Sequence, residues 1–358
     1  MFNRLLAILA LLATACSPAA APAPTVAPAA ATRPTAAATH TVRLGASNAG
    51  ATNAPFYLAE ELGYFAGQGI ALDQVFFPSA SEVIPALTRG DLDGAVVGVN
   101  PATLNALAGN FGIKLVADGG SQLPGFASNV FVVAREMEGT IKGPADLRGR
   151  KVALTPPGLG TASGYMLSKY LAQANLTPSD VDITPLTFPD QVAALSNHSI
   201  DAALMAEPFA TRVVQTGGGA LLVPGDKVSP GQQVVAMVFS ERFISTQRDV
   251  GVQLLTAFLQ GARKYMAAFS TGEDRDHVIQ ILVQKTDIKD PELWKQIYPT
   301  GVNPNGELNL QSMLDAQDYF QKLGLVQNPV DFARAMDPTF IQSAVQQLGP
   351  APTPQPRS

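Results

Sequence analysis

From residue 40 to about residue 240 the chain alternates short apolar runs with longer stretches of helical periodicity. HTVRLGAS predicts a strand from His40 to Ala46 by its alternation. In NAPFYLAEELGYF, Pro55 suits a first helical turn, and Phe56, Leu58, Ala59 and Leu62 fill the helix that ends before Gly63. A strand from Ile70 to Phe77, a helix from Glu82 to Arg89, a strand from Gly94 to Val99 and a helix from Pro101 to Ala108 follow. Strands over 113 to 118 and from Asn129 to Ala134 complete a first α/β half. The rhythm then restarts with a strand at 151 to 155, a glycine loop, and a helix from Ala162 to about Ala174. Strands from Asp182 to Leu186, Ala202 to Met205, Leu221 to Pro224 and Gln233 to Phe239 alternate with further helices. That order predicts parallel sheets covered by helices. After residue 240 the pattern is helical, clearest from Val250 to Phe269 with Leu254, Phe258, Ala262 and Phe269 on one stripe. This last portion is too short and too helical for a third α/β domain and is expected to return over the first half.

The N-terminus carries a different signal. Arg4 precedes the apolar run LLAILALLA, which is too short to span a bilayer as a mature helix and reads as a secretory signal. Ala13-Thr14-Ala15-Cys16 resembles a bacterial lipoprotein processing site, with Cys16 as the lipidated residue. Residues 16–39, almost wholly Ala, Pro and Thr, predict an extended tether, and 349–358 a disordered tail. Cys16 is the only cysteine, so neither a disulfide within the monomer nor a cysteine metal cluster is available. A net charge of −5 without a basic patch argues against nucleic acid as a partner. The three histidines, His40, His198 and His277, stand apart from any nucleophile and carboxylate, and no HExxH or P-loop motif occurs. Catalysis has little to stand on, and no cofactor or metal is expected.

NAPFYLAEELGYFAGQGIAL at 53–72 closely resembles the signature of the SsuA/THI5-like (NMT1-type) solute-binding proteins of ABC importers. The likeness continues through DLDGAVVG at 91–98, ADLRGRKVALTPPGLGTASGY at 145–165 and IDAALMAEPFA at 200–210. It implies an α/β, two-lobed periplasmic-binding-protein fold of the second type. The expected organisation is a signal peptide over 1–15, lobe one from 40–128 and 236–348, and lobe two from 129–235. Two crossing strands, near 126–131 and 233–238, would join the lobes, and the ligand would lie between them. The resemblance further implies a monomer held by its lipid at the outer face of the cell membrane. It would deliver a small-molecule solute to an ABC permease with a cytoplasmic ATPase.

Five loops can reach such a cleft. Asn48, Thr52, Asn53 and Phe56 form the first, and Asn100 at a strand end the second. Ser121, Gln122, Phe126 and Asn129 precede the first crossing. The glycine loop offers Gly160, Thr161, Ser163 and Tyr165; its GLGTASG resembles a dinucleotide fingerprint only weakly, but its helix start favours an anion or a carbonyl edge. Phe188 and Glu207 complete the set, the carboxylate needing a donor on the ligand or on a backbone amide. Asn100 and the residues of the first loop could equally cap the helices that follow them. Aromatic side chains with amides and one carboxylate suit a planar heterocycle, such as a thiamine-precursor pyrimidine or riboflavin. The alternatives are an aliphatic sulfonate, taurine or nitrate, and a pyrimidine-related enzyme on the same scaffold. The last is disfavoured, because the related pyrimidine synthase carries a cysteine-rich motif absent here.

Overall fold

The computed structural model describes residues 40–46, 51–77 and 80–352. Asn48, the Cys16 lipidation site, the signal segment, the tether before residue 40 and most of the C-terminal tail lie outside the described residues. Among the described residues ten strands run in chain order: β1 His40–Ala46, β2 Ile70–Phe76, β3 Gly94–Gly98, β4 Ile113–Ser121, β5 Asn129–Ala134, β6 Lys151–Leu154, β7 Asp182–Pro185, β8 Ala202–Ala206, β9 Gly219–Pro224 and β10 Gln233–Ser240. They form two five-stranded sheets, ordered β2-β1-β3-β10-β4 and β7-β6-β8-β5-β9.

Both sheets are mixed where an all-parallel arrangement was expected. β1 pairs in parallel with β2 and β3, while β10 lies antiparallel between β3 and β4. In the second sheet β6 is parallel to β7 and β8, and β5 lies antiparallel between β8 and β9. The antiparallel strands are the ones that follow a crossing. The chain leaves the first sheet at Ser121, enters the second at Asn129, and returns to the first at Gln233. The result is two α/β lobes joined by two connections.

Helices on both faces bury β4, β5 and β8 almost throughout, which is why these strands read as near-continuous apolar runs. On β5, Phe131 and Val133 join one core while Val130, Val132 and Ala134 join the other. β8 divides in the same way, Ala202 and Leu204 against Ala203 and Met205. The long helix Arg248–Ser270 returns to the first lobe, as its apolar stripe predicts, and packs Phe258 and Leu254 against Val42, Leu44 and Phe56. Its contact with the helix Ala54–Glu61 depends on Gly261, where a Cβ would stand 2.2 Å from the Pro55 carbonyl. No larger residue fits there.

Candidate functional site

An open cavity of about 240 Å³ lies where the two sheets meet. Its walls are mostly strand ends: Ala46 closes β1, Gly98 closes β3 with Val96 two residues before it, Ala206 closes β8, and Thr155 follows β6. Asn129 opens the antiparallel strand β5 and Val234–Val235 lie near the start of β10, so they reach the same edge. Ligands of open α/β sheets lie outside the carboxyl ends of their parallel strands. The cavity is in that position.

Three helices start at the cavity. Thr52 and Asn53 belong to a 3-10 turn running into Ala54–Glu61. Asn100 caps Pro101–Ala108 by accepting the Thr103 amide at 3.1 Å through Oδ1, and it also lines the cavity. Thr161 caps Ala162–Ala172: its hydroxyl accepts the Gly164 amide at 3.0 Å and donates to the Gly158 carbonyl at 2.8 Å. Capping therefore occupies the Thr161 hydroxyl, and the first amides of the helix, at Ala162 and Ser163, have no acceptor within it. Aligned peptide dipoles give each helix start a partial positive charge. Ser128, which the sequence pattern did not single out, is 5% exposed, and its Oγ is buried without a hydrogen-bond partner among the described residues. It lies on the cavity wall beside Asn129. A buried hydroxyl without a partner is costly unless a ligand or water satisfies it.

Among the described residues the lining contains no charged residue and no aromatic ring. Of the expected contacts, Thr52, Asn53, Asn100, Asn129, Thr161 and Ser163 converge on the cavity. The others sit elsewhere, for identifiable reasons. Phe56 is in the first-lobe core with its ring 4.6 Å from that of Phe258, and Phe126 is buried with Tyr265 and Trp294. The Tyr165 ring packs 5.4 Å from Tyr319, and Phe188 stacks on Phe209. Ser121 turns inward and donates to Asp118 at 2.8 Å. Gln122 is wholly buried, its Oε1 accepting the Ser128 amide. Gly160 lies in the turn Gly158–Gly160, off the cavity wall. Glu207 faces a separate cavity of about 150 Å³ and is saturated by protein donors: the Thr211 amide and hydroxyl and the Tyr298 amide, at 2.8–3.0 Å. Burial raises its carboxyl above the usual range, and those three bonds oppose the rise. The arginines nearest the second-lobe loops are engaged elsewhere, Arg135 with Glu138, Arg148 with Asp180 and Arg150 with Asp201.

The model of the NMT1-like family matches residues 35–283, well over half of the chain. The chain belongs to the NMT1-like family. This NMT1-like chain is 27% identical over 278 residues to an Escherichia coli K12 protein that carries the name of an aliphatic sulfonates-binding protein, a match spanning 75% of this chain and 80% of that one. Its fold is similar to the crystal structure of the periplasmic aliphatic sulphonate binding protein SsuA from Escherichia coli, with a TM-score of 0.67 at 22% identity over 83% of this chain and 92% of that one. SsuA from Xanthomonas axonopodis pv. citri, an alkanesulfonate-binding protein bound to MOPS, superimposes with a TM-score of 0.64 at 19% identity, covering 83% and 98% of the two chains. The NMT1-like chain thus shares the two-lobed architecture of these solved binding proteins.

Proposed function

We propose that this chain is an exported receptor of an ABC importer that captures a short-chain organic anion of the alkanesulfonate type by lobe closure. The observation that carries this reading is the composition of the cavity wall. Three helix starts and the side chains of Thr52, Asn53, Asn100, Ser128, Asn129 and Ser163 present neutral donors. Such an arrangement holds a sulfonate head without a formal countercharge. Ala46, Val96, Ala206, Val234 and Val235 offer apolar surface to a short alkyl tail. A heterocycle would need a stacking surface, and the rings expected to supply one are packed in the cores and helix contacts described above. At about 240 Å³ the cavity is also smaller than the roughly 300 Å³ at which drug-sized sites begin. Relatives named for aliphatic sulfonates support the same class. The binding contacts named here, acylation of Cys16 and docking to a permease with its ATPase belong to the same proposal.

A thermal-shift panel of butanesulfonate, taurine, nitrate, a methylated aminopyrimidine and riboflavin tests it. Butanesulfonate at a hundredfold excess over its Kd should stabilise the native state by about 2.7 kcal/mol and raise Tm by several degrees. Stabilisation by the pyrimidine or riboflavin alone would return the assignment to an aromatic solute.

A further inference from the structure

The glycine loop that forms the second-lobe wall of the cavity is gripped from outside by the C-terminal helices. From the helix Leu310–Lys322, the Tyr319 hydroxyl donates to the Leu159 carbonyl at 3.2 Å, 160 positions away in sequence. The Tyr319 ring also packs against Tyr165, one turn into the helix that the loop opens. Six residues beyond Tyr319, Leu325 covers the next link of the loop: a Cβ on Gly160 would stand 3.4 Å from its Cδ1. The other side of this segment is fixed to lobe one. Met313, Ala316 and Phe320 pack with Leu87, Leu104 and Leu107, and the Leu325 carbonyl accepts Asn105 Nδ2 at 2.9 Å. Tyr319 and Leu325 therefore strap lobe two's loop to lobe one.

We propose that Tyr319 is a positioning residue for solute binding: its hydroxyl holds the Leu159 carbonyl, fixes Thr161 and Ser163 at the cavity and latches the two lobes together. The inference rests on reading the cavity as the solute site. Leu159 is two residues before Thr161, so its carbonyl sets the path by which the loop enters the helix start. Thr161 in turn spends its hydroxyl on that same turn, through Gly158 and Gly164, which makes the loop one hydrogen-bonded unit. Burial raises the Tyr319 phenol well above its ordinary range, so it remains a donor throughout the neutral range. The latch lies outside the cavity wall. Its effect is on how firmly the loop is held at the cavity, and through the loop on solute release.

Tyr319→Phe in the full chain removes the hydroxyl and keeps the ring. Amide hydrogen exchange over residues 158–166, measured without ligand, should accelerate about fivefold, the worth of one such hydrogen bond. Tyr165→Phe removes a hydroxyl from the same ring pair, one with no acceptor among the bonds described, and should leave that exchange unchanged. Leu325→Ala, at a half-exposed position where folding is secure, should accelerate it through the second contact of the strap. Wild-type exchange in both Tyr319→Phe and Leu325→Ala, or equal acceleration by the two tyrosine variants, would overturn the latch. Butanesulfonate dissociation, followed by stopped flow, should also rise about fivefold in Tyr319→Phe, and an unchanged rate would overturn the positioning role. If the wild-type protein binds no sulfonate, the solute assignment fails, and the exchange data still decide the latch.

Discussion

Replacing Asp118 by alanine should destabilise the protein by about 3–5 kcal/mol, because it strands several buried neutral donors that each cost about 1–3 kcal/mol when left unpaired. Asp118 ends the apolar run of β4 and is fully buried where β4 and β10 pair. Its Oδ1 accepts from the Gly120 amide at 2.8 Å, the Ser121 hydroxyl at 2.8 Å and Gln233 Nε2 at 2.5 Å. Oδ2 accepts from the Asn303 amide at 2.6 Å. Gln233 extends the network, its Oε1 accepting the Asn309 amide and its own amide donating to Ser312 Oγ. One carboxylate thus joins the outgoing strand, the returning strand and the C-terminal segment at the root of both connections between the lobes. Asp118→Asn retains the Oδ1 acceptor and turns an amine toward Asn303, so it should cost about 1–3 kcal/mol, the penalty of one misplaced buried donor. The pH dependence distinguishes the two effects. Burial raises the Asp118 carboxyl more than its donors lower it, so the folded chain holds this proton more tightly than the unfolded chain. The contribution of this group to stability therefore increases as pH falls through the raised value toward the ordinary carboxylate range. Urea titrations of wild type and Asp118→Asn across that window should show a larger increase in the wild type, because Glu207 keeps its own raised carboxyl in both.

Gly164→Ala should abolish tight solute binding while leaving the protein folded. Inside a helix, alanine normally gains about 1 kcal/mol over glycine. Here the new Cβ would stand 2.6 Å from both Cα and the carbonyl oxygen of Leu159, and 2.8 Å from the Gly158 carbonyl. All three atoms are backbone, so no side-chain rotation relieves the clash, and the loop must lift from the helix start. Overpacking costs of about 1–3 kcal/mol outweigh the helical gain, for a small net loss of stability. Displacing the Ala162 and Ser163 amides and the Ser163 hydroxyl removes three donors, each worth about 1 kcal/mol, so affinity should fall on the order of 100-fold. Denaturant unfolding and a binding titration on the same variant measure both effects. Wild-type affinity with increased stability would contradict the close approach.

The elements of this fold were legible because the central strands are buried on both faces and the covering helices are periodic. Ala202–Met205 and Val130–Val133 read as strands on composition alone and are strands. The sense of β5 and β10 was not legible, since an apolar run carries no direction and both strands take theirs from the crossings that precede them. The destination of the aromatic rings was not legible either. Phe56 sits on a helix that is buried on opposite sides, so its neighbours Tyr57 and Leu58 belong to a different core, and periodicity cannot select the face toward the cavity. Ser128 and Thr155 are single polar residues outside any periodic run. Their position beside the start of β5 and the end of β6 is a signal that the strand-end rule could have used. Asp118, a charge closing an apolar strand, carried the same kind of signal for the network at the root of the connections.

The most direct test of the central claim is a calorimetric titration of the full chain with butanesulfonate and, separately, with a methylated aminopyrimidine. Neutral donors at converging helix starts predict saturable binding of one sulfonate per chain, with no heat from the pyrimidine. Saturable binding of the pyrimidine, with butanesulfonate silent, would contradict the account.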